Sequence, residues 1–386
     1  MAAHAVLGAS SSSRWLACPG SIRLSADMPN TSSAYAREGS CAHEVASECL
    51  IHNQDAISWL GKKVEKYPEI EVTEDMCNAV QRYLDTVREQ IKEYGRDDFE
   101  LDVELRFDLE HIYPGMFGTC DAVVYLPQTK RLTVYDYKHG WVGVAAERNA
   151  QTMYYALGAL TGKHNRLVEE IELVIVQPRS GKDGVKRWVC DVIDMLDFRI
   201  DLIEGAKKTE SSDAPLNPGS WCKFCPAAAI CPALANLAYE KALAEFNIDD
   251  TVKPMEPQKM SLDKLKLAWE NAAIIEDWAK AVKSYAHEQA LQGNVLPGCK
   301  LVRGRKGRKA WKDEEQAKAV LTQLSSSGAV AGSIYTGELK TPTQIEKQVT
   351  DKKLLASLWT QAEGGLSLVS ADDERPDATI TADTEF

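Results

Sequence analysis

Asp136 and Lys138 stand two residues apart in Leu132-Thr-Val-Tyr-Asp136-Tyr-Lys138, and Asp121 opens the preceding apolar run, Gly118-Thr-Cys-Asp121-Ala-Val-Val-Tyr-Leu. On a strand, residues two apart share a face. Asp136 and Lys138 therefore point together with Val134, while Tyr135 and Tyr137 point the other way. If the two runs pair, Asp121 lies beside Asp136. Two carboxylates and an ammonium near a core are costly unless a cation or a substrate partners them. Hard carboxylate oxygens suit Mg²⁺ or Mn²⁺, which keep waters and accept phosphate oxygens as further ligands. A lysine beside such an ion can stabilise an attacking hydroxide or the charge developing on phosphorus. The plain alternative is a surface hairpin with an ordinary Asp–Lys pair. Two features weigh against it: Gly118 permits close backbone approach, and Gln151 and Tyr155 form a polar i, i+4 pair on the next helix.

A second constellation is Trp221-Cys222-Lys-Phe-Cys225-Pro-Ala-Ala-Ala-Ile-Cys231-Pro232. Its C-x₂-C-x₅-C spacing supplies three thiolates, and both tetrahedral zinc and a [4Fe–4S] cube need a fourth. Cys18, in a Cys-Pro-Gly turn, is available. Cys41, Cys49, Cys77, Cys120, Cys190 and Cys299 read as small packing residues.

The elements that must position these groups follow from periodicity. Helices are expected over about Tyr35–Leu50 and Thr73–Tyr94, the second with Thr73 as N-cap and Met76, Val80, Leu84, Val87 and Ile91 as its apolar stripe. Phe99–Phe107 alternates strictly and predicts a half-buried strand. Thr119–Leu126 and Leu132–Lys138 predict an antiparallel pair. A helix over about Ala145–Leu160, strands at Ile171–Gln177 and Arg187–Val192, and a helix over Asp194–Lys207 complete an α/β pattern. Beyond the cysteines, Ser261–Gln292 predicts one long helix whose Trp269 and Trp278 favour packing. The segment Lys300–Lys312 carries seven basic residues in thirteen. It is either a solvated β-hairpin loop or a nucleic-acid contact with Trp311 available to stack. The resulting division is 1–240, a linker at 241–258, a C-terminal helical region with the basic hairpin at 259–365, and an acidic, disordered tail at 366–386.

The 386 residues are 44% hydrophobic and 26% charged, with a net charge of −12. That composition excludes wholesale disorder and fibrous classes, and the charge argues against nonspecific duplex coating. No run suits a membrane helix and the start lacks a signal-peptide pattern, so a cytoplasmic, non-membrane protein is expected.

Taken in order, Gly39-Ser-Cys-Ala-His43, Gly118-Thr-Cys-Asp121, Asp136-Tyr-Lys138 and Gln151-Thr-Met-Tyr-Tyr155 resemble the PD-(D/E)XK nuclease superfamily. The order is similar to its RecB-type branch, which includes phage exonucleases and CRISPR-associated RecB-like nucleases. The resemblance implies a mixed central sheet flanked by helices, with a mainly helical C-terminal extension. It implies that His43, Asp121 and Asp136, with the Tyr137 carbonyl, bind the divalent metal, and that Lys138 activates or stabilises the nucleophile. Gln151 and Tyr155 would position DNA, and Glu104 matches an acidic position in many relatives. One early cysteine plus a late triple resembles the iron–sulfur nucleases of that branch, in which a [4Fe–4S] cluster pins the domain ends. Cys18, Cys222, Cys225 and Cys231 would be its ligands, with structural Zn²⁺ as the alternative. The implied function is a Mg²⁺- or Mn²⁺-dependent DNA exonuclease of phage recombination or DNA processing, in the cytoplasm of a bacterial host. Its implied partners are DNA, a phage single-strand annealing protein and further copies of the chain. The rivals are a structure-specific endonuclease of the same fold and a non-cleaving, cluster-stabilised DNA-binding recombination partner.

Overall fold

The computed structural model describes residues 5–28, 33–95, 98–164, 167–181, 184–245, 261–336, 338–349 and 352–378. Two short N-terminal helices, α1 (Ser12–Ala17) and α2 (Gly20–Leu24), precede α3 (Ala34–Ile51) and α4 (Glu74–Gln90). Ser33 and Thr73 cap the last two by accepting from Ala36 N–H and Met76 N–H, both at 3.2 Å, as side-chain oxygens at N-caps do. The predicted strands appear as β1 (Glu100–Asp108), β2 (Phe117–Leu126) and β3 (Arg131–Tyr137). Helix α5 (Ala150–Thr161) then crosses to β4 (Glu170–Val176), followed by β5 (Val185–Cys190) and α6 (Val192–Glu210).

Helix α5 begins five residues later than its apolar pattern suggests. Asn149 is the reason: its side chain accepts from Gln151 and Thr152 N–H, both at 3.1 Å, and fixes the helix start. The five strands form one sheet in sequence order, with β3 and β4 parallel and the other neighbours antiparallel. Alternation decides the layers. Val134, Val123 and Leu132 pack with α1, α5 and α6, whereas Tyr135, Tyr137 and Val124 pack with α3 and α4. The α4 stripe lies in that second layer through Met76, Val80, Leu84 and Val87.

Helix α5 reaches the sheet through a glycine. A Cβ on Gly158 would fall 2.2 Å from the Phe107 ring, and one on Gly118 would fall 2.8 Å from it. The close approach read at Gly118 is therefore to this ring. Gly158→Ala should destabilise the protein by ~1–3 kcal/mol, as overpacked cores do. A drop in melting temperature, partly recovered by adding Phe107→Leu, checks this; no drop would mean the ring has room to move.

After α7 (Pro232–Glu245) comes α8 (Leu262–Leu291). The chain divides into two compact units, 1–278 and 279–386, with the boundary inside α8. Most of the expected 241–258 linker lies outside the described residues. Packing of both α8 tryptophans is not observed: Trp269 is 72% exposed.

The second unit is mixed α/β rather than mainly helical. It contains β6 (Cys299–Arg303), β7 (Lys309–Trp311), α9 (Glu314–Ser326), β8 (Tyr335–Thr336), β9 (Glu338–Leu339), α10 (Pro342–Ile345), α11 (Lys352–Ala356), β10 (Trp359–Gln361) and β11 (Leu366–Ser370). The basic segment is not a hairpin. β6 pairs with β11 and β7 with β10, because Gly304 and Gly307 N–H bond to Gly365 O at 2.7 Å and Ala362 O at 2.8 Å. Trp311 is no free stacking ring: it packs on the core of this unit and donates to Lys340 O at 3.0 Å. The tail expected to be disordered begins with an ordered strand, β11; residues 379–386 lie outside the described set. Among the described residues, no helix is long and apolar enough to cross a membrane.

Candidate active site

The end of β3 carries the first cluster. Asp136 is 1% exposed. Lys138 Nζ lies 2.9 Å from Asp136 Oδ2, 3.1 Å from its Oδ1 and 2.8 Å from Gln151 Oε1. Gln151 Nε2 in turn donates to Asp136 Oδ1 at 3.2 Å and to the Tyr155 hydroxyl at 2.8 Å. The i, i+4 pair thus reaches back from α5 onto the strand that precedes it.

Asp121 joins this cluster from β2. Its Oδ2 accepts the Tyr137 backbone N–H at 2.7 Å, and His43 Nδ1 of α3 lies 3.2 Å from its Oδ1. The imidazole packs edge-on against the Tyr137 ring, with centroids 5.2 Å apart. The group that Tyr137 presents to Asp121 is thus its amide N–H. Side-chain alternation breaks at Asp121, since Cys120 packs with the α5 side and Ala122 with the α3 side. Opposite the break, between the Val103–Ala122 and Leu105–Cys120 pairs, Glu104 has φ +52°. A left-handed non-glycine residue costs ~1–2 kcal/mol. Such strain concentrates at functional sites.

The charges are uneven. Burial opposes ionisation of Asp121, yet the His43 charge and hydrogen bond, the Tyr137 N–H and Lys138 outweigh it and lower its pKa. Burial likewise disfavours the His43 imidazolium, but Asp121 outweighs it and raises the histidine. Asp136 goes the other way: burial, joined by the Asp121 charge, raises its carboxyl despite Lys138. Burial followed by the Asp121 charge pushes Glu104 up to about 7, with His43 and Lys66 acting against the rise and Glu44 adding to it.

Glu104 gives a pH prediction. Its native value of about 7 exceeds the ordinary 4.5, so the native state holds its proton more tightly. The resulting stability is fully present below pH 4.5 and lost as the pH rises through about 7. Without divalent cations, Glu104→Gln should therefore match wild type in melting temperature at low pH and exceed it above neutrality by a small margin, because solvent screens this exposed side chain. A difference that stays flat with pH would contradict this assignment.

The donor set suits a hard divalent cation. Asp136 Oδ2 is buried and receives no hydrogen bond of good geometry, although the Lys138 ammonium is near. As the side chains stand, no three His, Cys, Asp or Glu among the described residues converge closely enough to hold a metal. The nearest metal-type donors are instead engaged as the His43–Asp121 and Asp136–Lys138 pairs.

The cysteines gather at a separate place in the same unit. Asn217 N–H donates to Cys18 Sγ and Gly219 N–H to Cys222 Sγ, both at 3.3 Å, while Arg14 Nη1 lies 3.7 Å from Cys225 Sγ. Burial raises the Cys18 thiol, and the charges of Cys225 and Cys231 add to it. Burial also raises Cys222, with Cys225, Cys231 and Cys18 contributing. The four thiols share one region, with N–H donors on two of them, but as the side chains stand no three of them converge on one metal position. Cys41, Cys49, Cys77, Cys120 and Cys190 are buried and Cys299 is half-buried.

Sequence reasoning passed over Glu38, His139 and Arg179. The Tyr137 hydroxyl lies 2.7 Å from His139 Nδ1, and His139 Nε2 lies 3.2 Å from Glu38 Oε1. Arg179 reaches the same Glu38 oxygen at 3.0 and 3.1 Å and also bonds Asp75. His139, directly after Lys138, was the available signal. A cleft of about 710 Å³ opens from Tyr155 and Thr119 toward Ser10, Arg14 and Pro226. It extends from the residue that closes the acidic cluster to one that touches the cysteines.

Fold and site together define a mixed α/β protein with a half-buried acid–lysine–imidazole cluster, centred on the buried Asp136, at the end of a central strand. The chain belongs to the family described as "Protein of unknown function (DUF2800)", which matches residues 4–376. Among solved structures it is similar to the one described as "Crystal structure of SSO0001", at 14% identity and a TM-score of 0.30, covering 60% of this chain and 89% of that one. A likeness this slight does not define a fold.

Proposed function

We propose that this protein is a divalent-metal-dependent deoxyribonuclease of the PD-(D/E)XK type, acting as an exonuclease in recombination or DNA processing. The observation that carries the reading is the meeting of Asp121, Asp136, Lys138, His43 and Gln151, drawn from two strands and two helices. Asp121, Asp136 and His43 would hold Mg²⁺ or Mn²⁺, with Glu104 close by. Bound there, the ion would supply a nucleophilic water at neutral pH and polarise a phosphate oxygen. The chain's own part is to place charge. Lys138 has a side chain 25% exposed, so its ammonium can meet an incoming phosphodiester and stabilise the negative charge that develops there. Gln151 fixes that ammonium and is itself held by Tyr155, which keeps Lys138 aimed. The cleft beside Tyr155 gives the strand a path. Cys18, Cys222, Cys225 and Cys231 would hold an iron–sulfur cluster or zinc that staples the unit.

The test is cleavage of end-labelled linear and closed circular DNA with Mg²⁺ or Mn²⁺. End-dependent loss of linear DNA supports the exonuclease. Cutting of circles would favour an endonuclease, and retention without cutting would leave a binding protein.

A further inference from the structure

One buried side chain holds up the loop that leaves β3 after Lys138. Gln177, 3% exposed, donates from Nε2 to Gly140 O at 2.9 Å and Val142 O at 2.7 Å, and its Oε1 accepts Val144 N–H at 3.0 Å. Lys186 Nζ adds a bond to Val144 O at 2.8 Å. A buried amide that satisfies three backbone groups of one loop fixes its course.

What this fixed loop displays is apolar. Trp141 is 65% exposed and Val142 59%. The Trp141 ring lies 5.3 Å from the Arg179 guanidinium, which Glu38 and Asp75 hold in place. The indole is thus anchored on a cation while most of its surface faces solvent. Packing does not explain it, and a single ring with one valine is far smaller than the ~800 Å² that each partner of a stable protein interface buries. Glu38 and Asp75 more than neutralise Arg179, so the cation under the ring is already taken up and the indole offers an apolar face that suits a base. Lys138 and Lys186 stand at the two ends of the loop, which suits the flanking phosphates. Trp141 is three residues from Lys138, a reach of at most ~11 Å along the chain.

We propose that Trp141 is a stacking platform for an unpaired base of the strand whose phosphodiester lies at Asp121, Asp136 and Lys138. The preferred ligand is then a single strand or a frayed end rather than a closed duplex. This rests on the nuclease reading and adds the form of DNA to it. Stacking a base on an aromatic ring is sequence-tolerant and is lost with the ring.

Fluorescence anisotropy in Ca²⁺, with a labelled single-stranded oligonucleotide and a duplex closed by hairpins at both ends, tests it. Trp141→Ala should weaken single-strand binding by roughly tenfold and leave the closed duplex unchanged, while Trp141→Phe should recover most of the loss. Equal losses on both ligands, or none on either, would overturn the platform. So would a change of oligomeric state in Trp141→Ala with DNA affinity intact, which would make the ring a protein contact. Wild-type cleavage with unaltered Trp141→Ala binding would sink the platform alone. Wild-type protein that neither binds nor cuts DNA would sink the nuclease reading with it.

Discussion

Asp136→Asn is expected to lower metal-dependent DNA cleavage by at least about a thousandfold, ~4 kcal/mol of barrier, while leaving the melting temperature unchanged or higher. The two halves of this expectation share one cause. Asp136 is almost fully buried, and burial together with the Asp121 charge holds its carboxyl above the ordinary range. Its ionised form is therefore held at the expense of stability. The sign follows from linkage: a raised native pKa means that stability falls as the pH rises through that value. Asparagine keeps the shape and removes the charge, so its advantage should be absent at low pH and grow as the pH rises through the raised value. Gln151 Nε2 can still bond the retained side-chain oxygen, and Lys138 keeps Gln151 Oε1 at 2.8 Å. What is lost is the hard anionic oxygen that a divalent ion needs.

Lys138→Ala is the less clean variant, because it strips Asp136 of its nearest cation and leaves a buried charge poorly partnered. It should lose both activity and stability. Activity within about tenfold of wild type for Asp136→Asn, well above that barrier loss, would remove Asp136 from the chemistry. A large fall in its melting temperature would make the carboxylate structural instead.

The strands and their faces were legible because alternation is a local property. Val134 and Tyr135 fall in the layers that a two-residue period assigns. Helices α3 to α6 were legible for the same reason at a period near 3.6, with Asn149 and Asp191 as caps that moved the starts of α5 and α6; α1, α2 and α7 were not read from the sequence. The proximity of His43 to Asp121 was reachable only through the resemblance, since 78 residues separate them and no periodicity links them. The network around Arg179 had one sequence signal, His139 directly after Lys138; a lone arginine after β4 carries no spacing signal of its own. In the second unit the strands have two to five residues. Runs that short give no period to read. Pairing between β6 and β11 joins segments more than sixty residues apart, so the nearer hairpin looked preferable and was not formed.

Cys222→Ser should strip the protein of bound iron or zinc and lower the melting temperature by several degrees, with chemistry at Asp136 affected only through that loss of stability. The Cys18 turn and the 214–217 segment already touch: Gly20 N–H bonds Pro215 O at 3.0 Å and Asn217 Nδ2 bonds Ala17 O at 2.9 Å. Two such bonds, each worth ~1 kcal/mol net, are a weak clasp for ends about two hundred residues apart. A covalent-strength link across that loop would remove unfolded-state entropy worth about 5 kcal/mol in the chain-entropy limit. The Asn217 and Gly219 amides beside Cys18 and Cys222 stabilise thiolates, which buried thiols otherwise resist forming. A bound cation would turn these thiols into thiolates; without one, burial keeps Cys18 and Cys222 neutral.

Metal and sulfide analysis of anaerobically purified protein, with absorbance near ~400 nm, separates a cluster from zinc. Cys190→Ser is the control, because that thiol is buried away from the group and pushed up to about 12 by burial. It should lose stability without losing metal. If Cys222→Ser and wild type carry the same metal and melt together, the four cysteines are packing residues and the N-terminal turn is held by its hydrogen bonds alone.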